Sequence, residues 1–412
     1  MAGLACVLLA AAACSNGGDA TSDSSASAPP EPQLSGDPVV IGSMFPVNAT
    51  IATFPELPLM AQIAVKVVNG KGGIKGRPLK WVHCDDKGDP NVAATCANQL
   101  INQDKVVALV ESVGLQGNVM WPVIKQANII NWFNVPIGPD DGTNPLSYPA
   151  GLGIYAHTNV GLLVKQGEFK KVRCVVSSTP LADRICGFAQ SSLAAKGITD
   201  FSAIKFPAGT TAFQPYATKV VADGADAVVV VANDAVNAPI LQALADAGAD
   251  VTVLEPSTSI GSRSQAVAKS NKLKLRVGGS WGADAGKFPA RKDMLDNIKK
   301  YGPSVGAPSG MDTTSDNAFN MYQGILSLAA VMNGAQSLST ADLQAYIAAN
   351  PVVTGVAPPL DWSKPGPIDN APRIVQFYAT PEILDKDGGL VSESNTWSSS
   401  FPGVSSVTCC SK

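Results

Sequence analysis

The chain has 412 residues, 45% of them apolar and 15% charged, with a formal net charge of −3. That length and apolar share fill two or three domain-sized cores, and the near-neutral balance argues against a nucleic-acid binder, which carries a basic excess on one face. Two histidines, His83 and His157, leave little room for imidazole-rich metal sites, and no apolar run reaches the ~20 residues of a membrane-spanning helix.

The first residues read MAGLACVLLAAAACSNGGD. The apolar run over 4–13 is too short to span a bilayer but has the length of an export-signal core. It ends in AAAC, with small residues before Cys14, and this resembles the lipobox of bacterial lipoproteins. No Lys or Arg precedes the run, and Ala11 stands where Leu is usual. The resemblance implies loss of a signal peptide, 1–13, and lipidation of Cys14, which anchors the protein to the outer face of the cytoplasmic membrane. An ordinary secretory signal cleaved near Ala13 is the alternative. Residues 14–36 are Ser, Ala, Gly, Asp and Pro with almost nothing to bury, the composition of a flexible tether.

Past the tether, short apolar strands alternate with amphipathic helices. PVVIGSM (38–44) reads as a strand, 57–69 as a helix ending at Gly70, and LKWVHC as the next strand. The helix PNVAATCANQLINQD starts with Pro90 in its first turn. VVALV, a helix near 118–127, and IINWF continue the pattern. It restarts with KKVRCVVSS (170–178), the helix ADRICGFAQSSLAAKG, and the strand FSAIKF. FQPYATKVVADG (helix), ADAVVVVA (buried strand), NAPILQALADAG (helix) and VTVL (strand) complete a second set. Strand–helix alternation with short connections predicts parallel, doubly wound sheets, here in two lobes. After Ser280 helices are expected within 289–301 and 315–332, then TADLQAYIAAN, and a lone late strand over RIVQFYA (373–379). A lone strand must join a sheet already built, so the chain is expected to cross between lobes more than once.

Six cysteines lie beyond the tether: Cys84, Cys96, Cys174, Cys186, Cys409 and Cys410. In an oxidising compartment they are expected to be bridged. Cys84 with Cys96, and Cys174 with Cys186, share one spacing and set a strand Cys against a Cys of the following helix. Each predicted bridge closes a short loop and contributes up to about 3 kcal/mol in the chain-entropy model. Cys409 and Cys410 stay open between a vicinal ring, free thiols and other pairing. Zinc is the rival for the first four, without a CxxC spacing to support it.

The stretch NGKGGIKGRPL (69–79) resembles the N-x-x-G-G-I-x-G-R-x-L element of the branched-chain-amino-acid type of ABC-transporter substrate-binding proteins. VVIGSMFP, CDDKGDPNVAATCANQLINQDKVVALV, FPAGTTAFQPYATKVVADGADAVVVVAN and APPLDWSKPGPI agree with that family in order, from Asp37 to about Ala379. In physical terms the motif is a tight helix-to-strand reversal: Gly72, Gly73 and Gly76 allow positive φ, and Pro78 sets the start of the strand. The resemblance implies an α/β type I periplasmic binding fold of two parallel-sheet lobes joined by three crossovers near His157, Trp281 and Asn370. One lobe then takes 37–156 with 282–370, the other 157–281 with 371–400, and 401–412 forms a tail. It also implies a small-molecule ligand, an ABC permease as partner, no cofactor, no metal, and a monomer.

Ligands of open α/β sheets sit beyond the carboxyl ends of the strands. Those ends are 45–46, 114–116 and 134–137 in the first lobe, and 178–181, 233–234 and 255–257 in the second. They make Phe45, Gly114, Gln116, Asn134, Val135, Ile137, Leu181, Asn233, Glu255 and Trp281 the candidate ligand residues. Amino-acid binders of the family hold a ligand carboxylate with Ser and Thr hydroxyls. On that pattern Gly114 falls at the Ser, Val135 and Ile137 around the Ala-x-Thr pair, and Leu181 at a usual aromatic. Ser112 or Asn134 can supply a polar group, yet the cleft reads as apolar. A buried carboxylate without donors costs several kcal/mol, so the expected ligand is a larger, mainly apolar molecule, aromatic or steroid-like, with Phe45 and Trp281 as packing surfaces. Trp281 reads equally as a core residue at the crossover. Glu255 reads as a solvated loop charge ahead of a partner for a ligand ammonium. Asp85 and Asp86 read as turn or capping residues, and His83 as a surface residue of its strand.

One catalytic pattern occurs: Gly278, Ser280 and Gly282 match G-x-S-x-G. Its hydrolase elbow needs a helix straight after the Ser and a later His, whereas both histidines precede it, so the glycines read as crossover flexibility and the protein as no enzyme. GLGIYA (151–156) only weakly echoes a dinucleotide fingerprint, and no Walker motif occurs. The sequence therefore reads as a lipid-anchored binding protein feeding an ABC importer. A ligand-sensing module on the same scaffold and an ordinary branched-chain amino acid binder are the alternatives.

Overall fold

A computed structural model describes residues 32–47, 49, 54–113 and 115–410. The signal peptide, Cys14 and the tether up to residue 31 lie outside the described residues, as does Gly114. Among the described residues no helix is long and apolar enough to cross a membrane.

The first lobe is built on five parallel strands: β1 (Val39–Met44), β2 (Leu79–Cys84), β3 (Ala108–Val110), β4 (Ile130–Trp132) and β5 (Ser147–Tyr148). Their order is β2-β1-β3-β4-β5. Helices α1 (Leu57–Gly70), α2 (Pro90–Asn98), α3 (Gly117–Ala127) and α4 (Pro139–Thr143) connect them. The second lobe carries β6 (Lys171–Ser177), α5 (Pro180–Ala194), β7 (Asp200–Phe206), α6 (Gln214–Ala222), β8 (Ala227–Val231), α7 (Asp234–Asp246), β9 (Thr252–Pro256), α8 (Ser262–Ser270) and β10 (Lys274–Gly279). The chain then adds α9 (Pro289–Tyr301), α10 (Asp316–Gly334) and α11 (Thr340–Ala349) to the first lobe, where α10 packs along α1. It returns to the second as β11 (Thr380–Leu384) and β12 (Leu390–Ser392), giving the order β12-β11-β10-β9-β8-β6-β7.

Both sheets are covered on both faces, and the residues show why. AVVVV in β8 is buried at every position, as a central strand between two helix layers must be. On one side of the second sheet Val228, Val230 and Val253 meet α6, α7 and α8; on the other Val229, Leu254 and Val176 meet α5. In the first lobe Trp132 and Phe133 face α10, while Met44 and Leu109 face α2 and α3. Side-chain caps start several helices where strands end: Asp89 on α2, Thr179 on α5, Asn233 on α7 and Ser315 on α10.

Two bridges tie strand to helix, Cys84–Cys96 and Cys174–Cys186, with Cα separations of 5.4 and 6.3 Å. Cys409 and Cys410 are bonded to each other. The expected strand over 373–379 is absent. Those residues form the third passage between lobes, where neither large sheet offers a neighbouring strand and Ala379 bridges to Ser398 instead. Gln376 satisfies its own polar groups there, donating to Ser280 O and accepting from Tyr378 N–H. The late strand begins at Thr380 instead and pairs antiparallel with β10.

The NGKGG reversal is held by Asn69, whose side chain accepts from Leu79 N–H (2.8 Å) and donates to Leu79 O (3.0 Å). Gly73 has φ +65°, and a Cβ there would stand 2.1 Å from Arg77 O; Gly72, at φ +104°, has open space. Gly72→Ala is therefore expected to cost about 1–2 kcal/mol, from backbone strain alone. Gly73→Ala should cost at least about 3 kcal/mol, since the turn must also give way. Denaturant melts of the two variants check this ranking, and equal losses would refute the close-approach argument.

Candidate functional site

The strands of both lobes end toward the gap between them. A cavity of about 280 Å³ opens there, lined by Glu56 and Leu59 at the start of α1 and by Met311, Asp312 and Ser315 ahead of α10. The second lobe contributes Asn233 and Asp234 at the start of α7 and Thr258 to Arg263 leading into α8. Asp234 accepts from Gly261 N–H (2.8 Å) and Ser264 N–H (2.9 Å), which fixes the start of α8 at the cavity wall. Burial, with Asp312 and Asp234 nearby, pushes the Glu56 carboxyl up to about 7.

Hydrogen bonds cross the gap beside the cavity. Ser257 Oγ donates to Asp316 Oδ2 at 2.6 Å, Gln265 Nε2 to Thr314 Oγ1 at 3.0 Å, and Ser262 N–H to Asp312 Oδ2 at 3.4 Å. Ser257 Oγ also accepts from Ser280 N–H at 3.0 Å, so one hydroxyl joins both lobes and the second crossing. Around it lie Glu111, Asp316 and Glu382 with one buried cation, Arg291, whose Nε donates to Gly282 O and whose plane lies 4.6 Å over Phe319. Burial drives Glu111 well above the carboxylate range, Glu382 to about 7 and Asp316 to about 6. Glu111 and Phe133, just past β3 and β4, both take positive φ (44° and 53°), an arrangement that strains two adjacent strand ends at the base of the gap.

Away from the cavity, the crossings meet in a closed apolar cluster. Leu152, Ile154, Tyr155 and Ala156 of the first crossing cluster with Ile368, Ala371 and Ile374 near the third. Ile137 of the first lobe and Ile185 and Phe188 of the second pack against that cluster. Leu181, Ile185 and Phe188 follow at i, i+4 and i+7 on α5, one face of the helix, and Leu181 is 37% exposed.

Of the residues expected at the site, Asn233 lines the cavity and also caps α7, accepting from Val236 N–H. Val135, Ile137 and Leu181 are partly exposed. Gln116 donates to Gly88 O at 3.0 Å. Asn134 is buried with both ends of its amide used, donating to Asp141 and accepting from Ser147. Phe45 is buried and stacks on His83 at 4.1 Å, while Trp281 is buried against Phe319 and Phe133 at 5.4 and 6.4 Å. One sequence reading needs correction. Glu255 is fully buried rather than solvated: Val230 N–H donates to it at 2.7 Å, and burial raises its carboxyl well above the usual range. His83 is half-buried on the edge strand β2, its ring stacked on Phe45 and Trp81. Asp85 and Asp86 do serve turns, accepting from Lys87 and Gly88 N–H.

Sequence reasoning missed Glu56, Thr258, Arg263, Asp312 and Ser315. Thr258 and Arg263 continue the strand end at 255–257 and were within its reach. The 308–315 loop follows no strand, so the rule of carboxyl ends passes over it. The G-x-S-x-G match makes no elbow, since the helix after Ser280 begins only at Pro289 and His157 is buried 3.4 Å from Val230 O.

A family model described as periplasmic binding protein matches residues 39–376. In sequence the chain is similar to an amino acid binding protein of Pseudomonas aeruginosa, 25% identical over 352 residues that cover 82% of this chain and 89% of that one. In fold it is similar to a fatty acid ABC transporter substrate-binding protein from Thermomonospora curvata, with a TM-score of 0.70 at 14% identity, covering 88% of this chain and 92% of that one. An ABC-transporter solute binding protein from R. palustris, solved in complex with 4-hydroxybenzoate, gives a TM-score of 0.70 at 16% identity, covering 91% and 98%.

Asp316 keeps its proton up to about pH 6, against an ordinary value of 3.8, because it is buried. The folded form then binds that proton more tightly than the unfolded chain, so the site's contribution to stability is full below pH 4 and is lost as pH rises through 6. Asp316→Asn imitates the protonated acid. Relative to the parent, the variant should gain about 2–3 kcal/mol in unfolding free energy between pH 4 and pH 7. Urea melts at both pH values measure this, and a constant difference contradicts it.

Proposed function

We propose, since the chain belongs to the periplasmic binding protein family, that it captures a small, mainly apolar molecule between its lobes and passes it to an ABC importer. The observation that carries the reading is a cavity of about 280 Å³ lined by both lobes, with Phe54, Leu59, Ile260 and Met311 as its apolar lining. That volume is near the low end of small-molecule pockets, about 300–1,000 Å³. The relatives bind ligands as different as amino acids and 4-hydroxybenzoate, so the ligand class is argued from this chain's own lining.

The lining disfavours a carboxylate. Glu56, Asp234 and Asp312 face the cavity with Arg263 as their counter-charge. Val135, Ile137 and Leu181 stand where hydroxyls and an aromatic ring are expected in amino-acid binders. An anionic end would meet repulsion and few donors, at a cost of several kcal/mol. A neutral molecule, or one with a basic end toward Glu56, fits this lining.

Capture works by closure. The lobes turn about the crossings, expel water and bring the Asp316–Ser257 and Asp312–Ser262 contacts together. A ligand shifts that equilibrium only as far as it binds the closed form better than the open one. The permease then reads the closed pair of lobe surfaces. No catalytic step is proposed: the helix after Ser280 begins only at Pro289, and His157 lies against Val230 O. Cys14, lipidated at the membrane face, keeps the binding protein beside its importer.

Mass spectrometry of co-purifying molecules followed by thermal-shift screening should find an apolar neutral or amine ligand. At 100 times its Kd it stabilises the protein by about 2.7 kcal/mol. Leu59→Asp should weaken that ligand by at least roughly tenfold, because it places a charge in the cavity's apolar lining. Tight leucine or valine binding in calorimetry rejects the ligand class. Separately, Cys14→Ser should move the protein from the membrane fraction to the soluble fraction; unchanged membrane association rejects the anchor.

A further inference from the structure

The chain does not stop at the second lobe after its third crossing. β12 ends at Ser392, paired there with β11. By Trp397 the chain is back in the first lobe: that indole is fully buried in the core shared by α1, α9 and α10, 6.2 Å from Phe288. Beside it Ser398 pairs with Ala379 of the third crossing in both directions, Ala379 N–H to Ser398 O at 2.8 Å and Ser398 N–H to Ala379 O at 2.9 Å. Strands β13 (Thr396–Trp397) and β14 (Val407–Thr408) close a hairpin. Val407, Cys409 and Cys410 pack on the first lobe's core, and Cys410 Sγ lies 3.0 Å from Ala357 O.

We propose that residues 393–410 are a fourth link between the lobes, a strap that pairs with the third crossing and holds the hinge toward its closed setting. A single extended crossing swings by rotating a few φ and ψ angles, whereas two strands that share hydrogen bonds must twist together. Both ends of the strap are fixed, Ser392 in the ladder of the second sheet and Trp397 in the first lobe's core. Five extended residues reach at most about 17 Å, so wide opening has to pull Trp397 out or break the Ala379–Ser398 pair. The strap lies away from the cavity and acts on the equilibrium between open and closed lobes. It makes no reference to which molecule binds, and its test needs none.

The test compares the ligand-free parent with a slack variant carrying six Gly/Ser residues inserted between Glu393 and Ser394, which leaves Trp397 docked. Trp397→Ala is a second variant. Small-angle scattering reports the separation of the lobes, and hydrogen exchange at Ser262 N–H reports a cross-cleft contact. The slack variant should show a larger radius of gyration and roughly tenfold faster exchange at that amide, with the Val229 amide inside β8 unchanged. Equal scattering and equal exchange, or a more compact variant, overturn the proposal. If Trp397→Ala unfolds, the slack variant alone decides.

Discussion

The hydrogen bond from Ser257 Oγ to Asp316 Oδ2, 2.6 Å long, sets the terms on which the two lobes meet. Its donor hangs from the end of β9 and its acceptor opens α10, so a single contact aligns a strand end of one lobe with a helix start of the other. Asp316 can occupy that place because it need not be charged: burial favours the protonated acid, and Arg291 is close to what charge remains. The same condition governs Glu111 and Glu382. Asp316 and Glu382 beside one guanidinium, with Glu111 next to Asp316, can be buried together only if protons make up the difference. Closing the lobes and holding protons at this cluster are thus one event described in two ways.

The cavity and the crossings divide the remaining work. The crossings meet in a closed apolar cluster of Leu152, Ile154, Tyr155 and Ile374, which packs residues of both lobes together and does not face the cavity. At the cavity, Asp234 holds the start of α8 through Gly261 and Ser264 N–H, beside the Glu56 carboxyl and the apolar Phe54, Leu59, Ile260 and Met311. Polar groups with fixed directions and apolar side chains without them therefore share one lining.

Much of the scaffold was legible in the chain because its signals are local. AVVVV is readable as a doubly covered strand from composition alone, the Cys spacing places a strand Cys against the next helix, and NGKGGIKGRPL spells a reversal that Asn69 and Gly73 carry out. What was not legible depends on partners far away in sequence. RIVQFYA has strand propensity throughout, yet a strand needs a neighbour, and 373–379 lies where neither sheet offers one. Glu255 looks like any charge in a loop until Val230 N–H is found beside it. The cavity draws on loops near 56, 234, 260 and 312, and no spacing in the chain announces that they meet. The return of Trp397 was hidden for the same reason, since a short aromatic-bearing tail has no pattern that names its receptor.

The hinge shows how such distant contacts alter a property that local structure cannot. Three crossings of irregular backbone leave two α/β lobes free to swing, and the shape of each lobe says nothing about how far. The limit comes from a few groups that bridge them: Gln376 holding the second crossing to the third, Ser257 holding both lobes at Asp316, and Ser398 paired with Ala379. Each is one or two hydrogen bonds, worth about 1 kcal/mol net apiece. An equilibrium between open and closed forms also spans only a few kcal/mol. Contacts too weak to decide whether the lobes fold are therefore of the right size to decide how they stand.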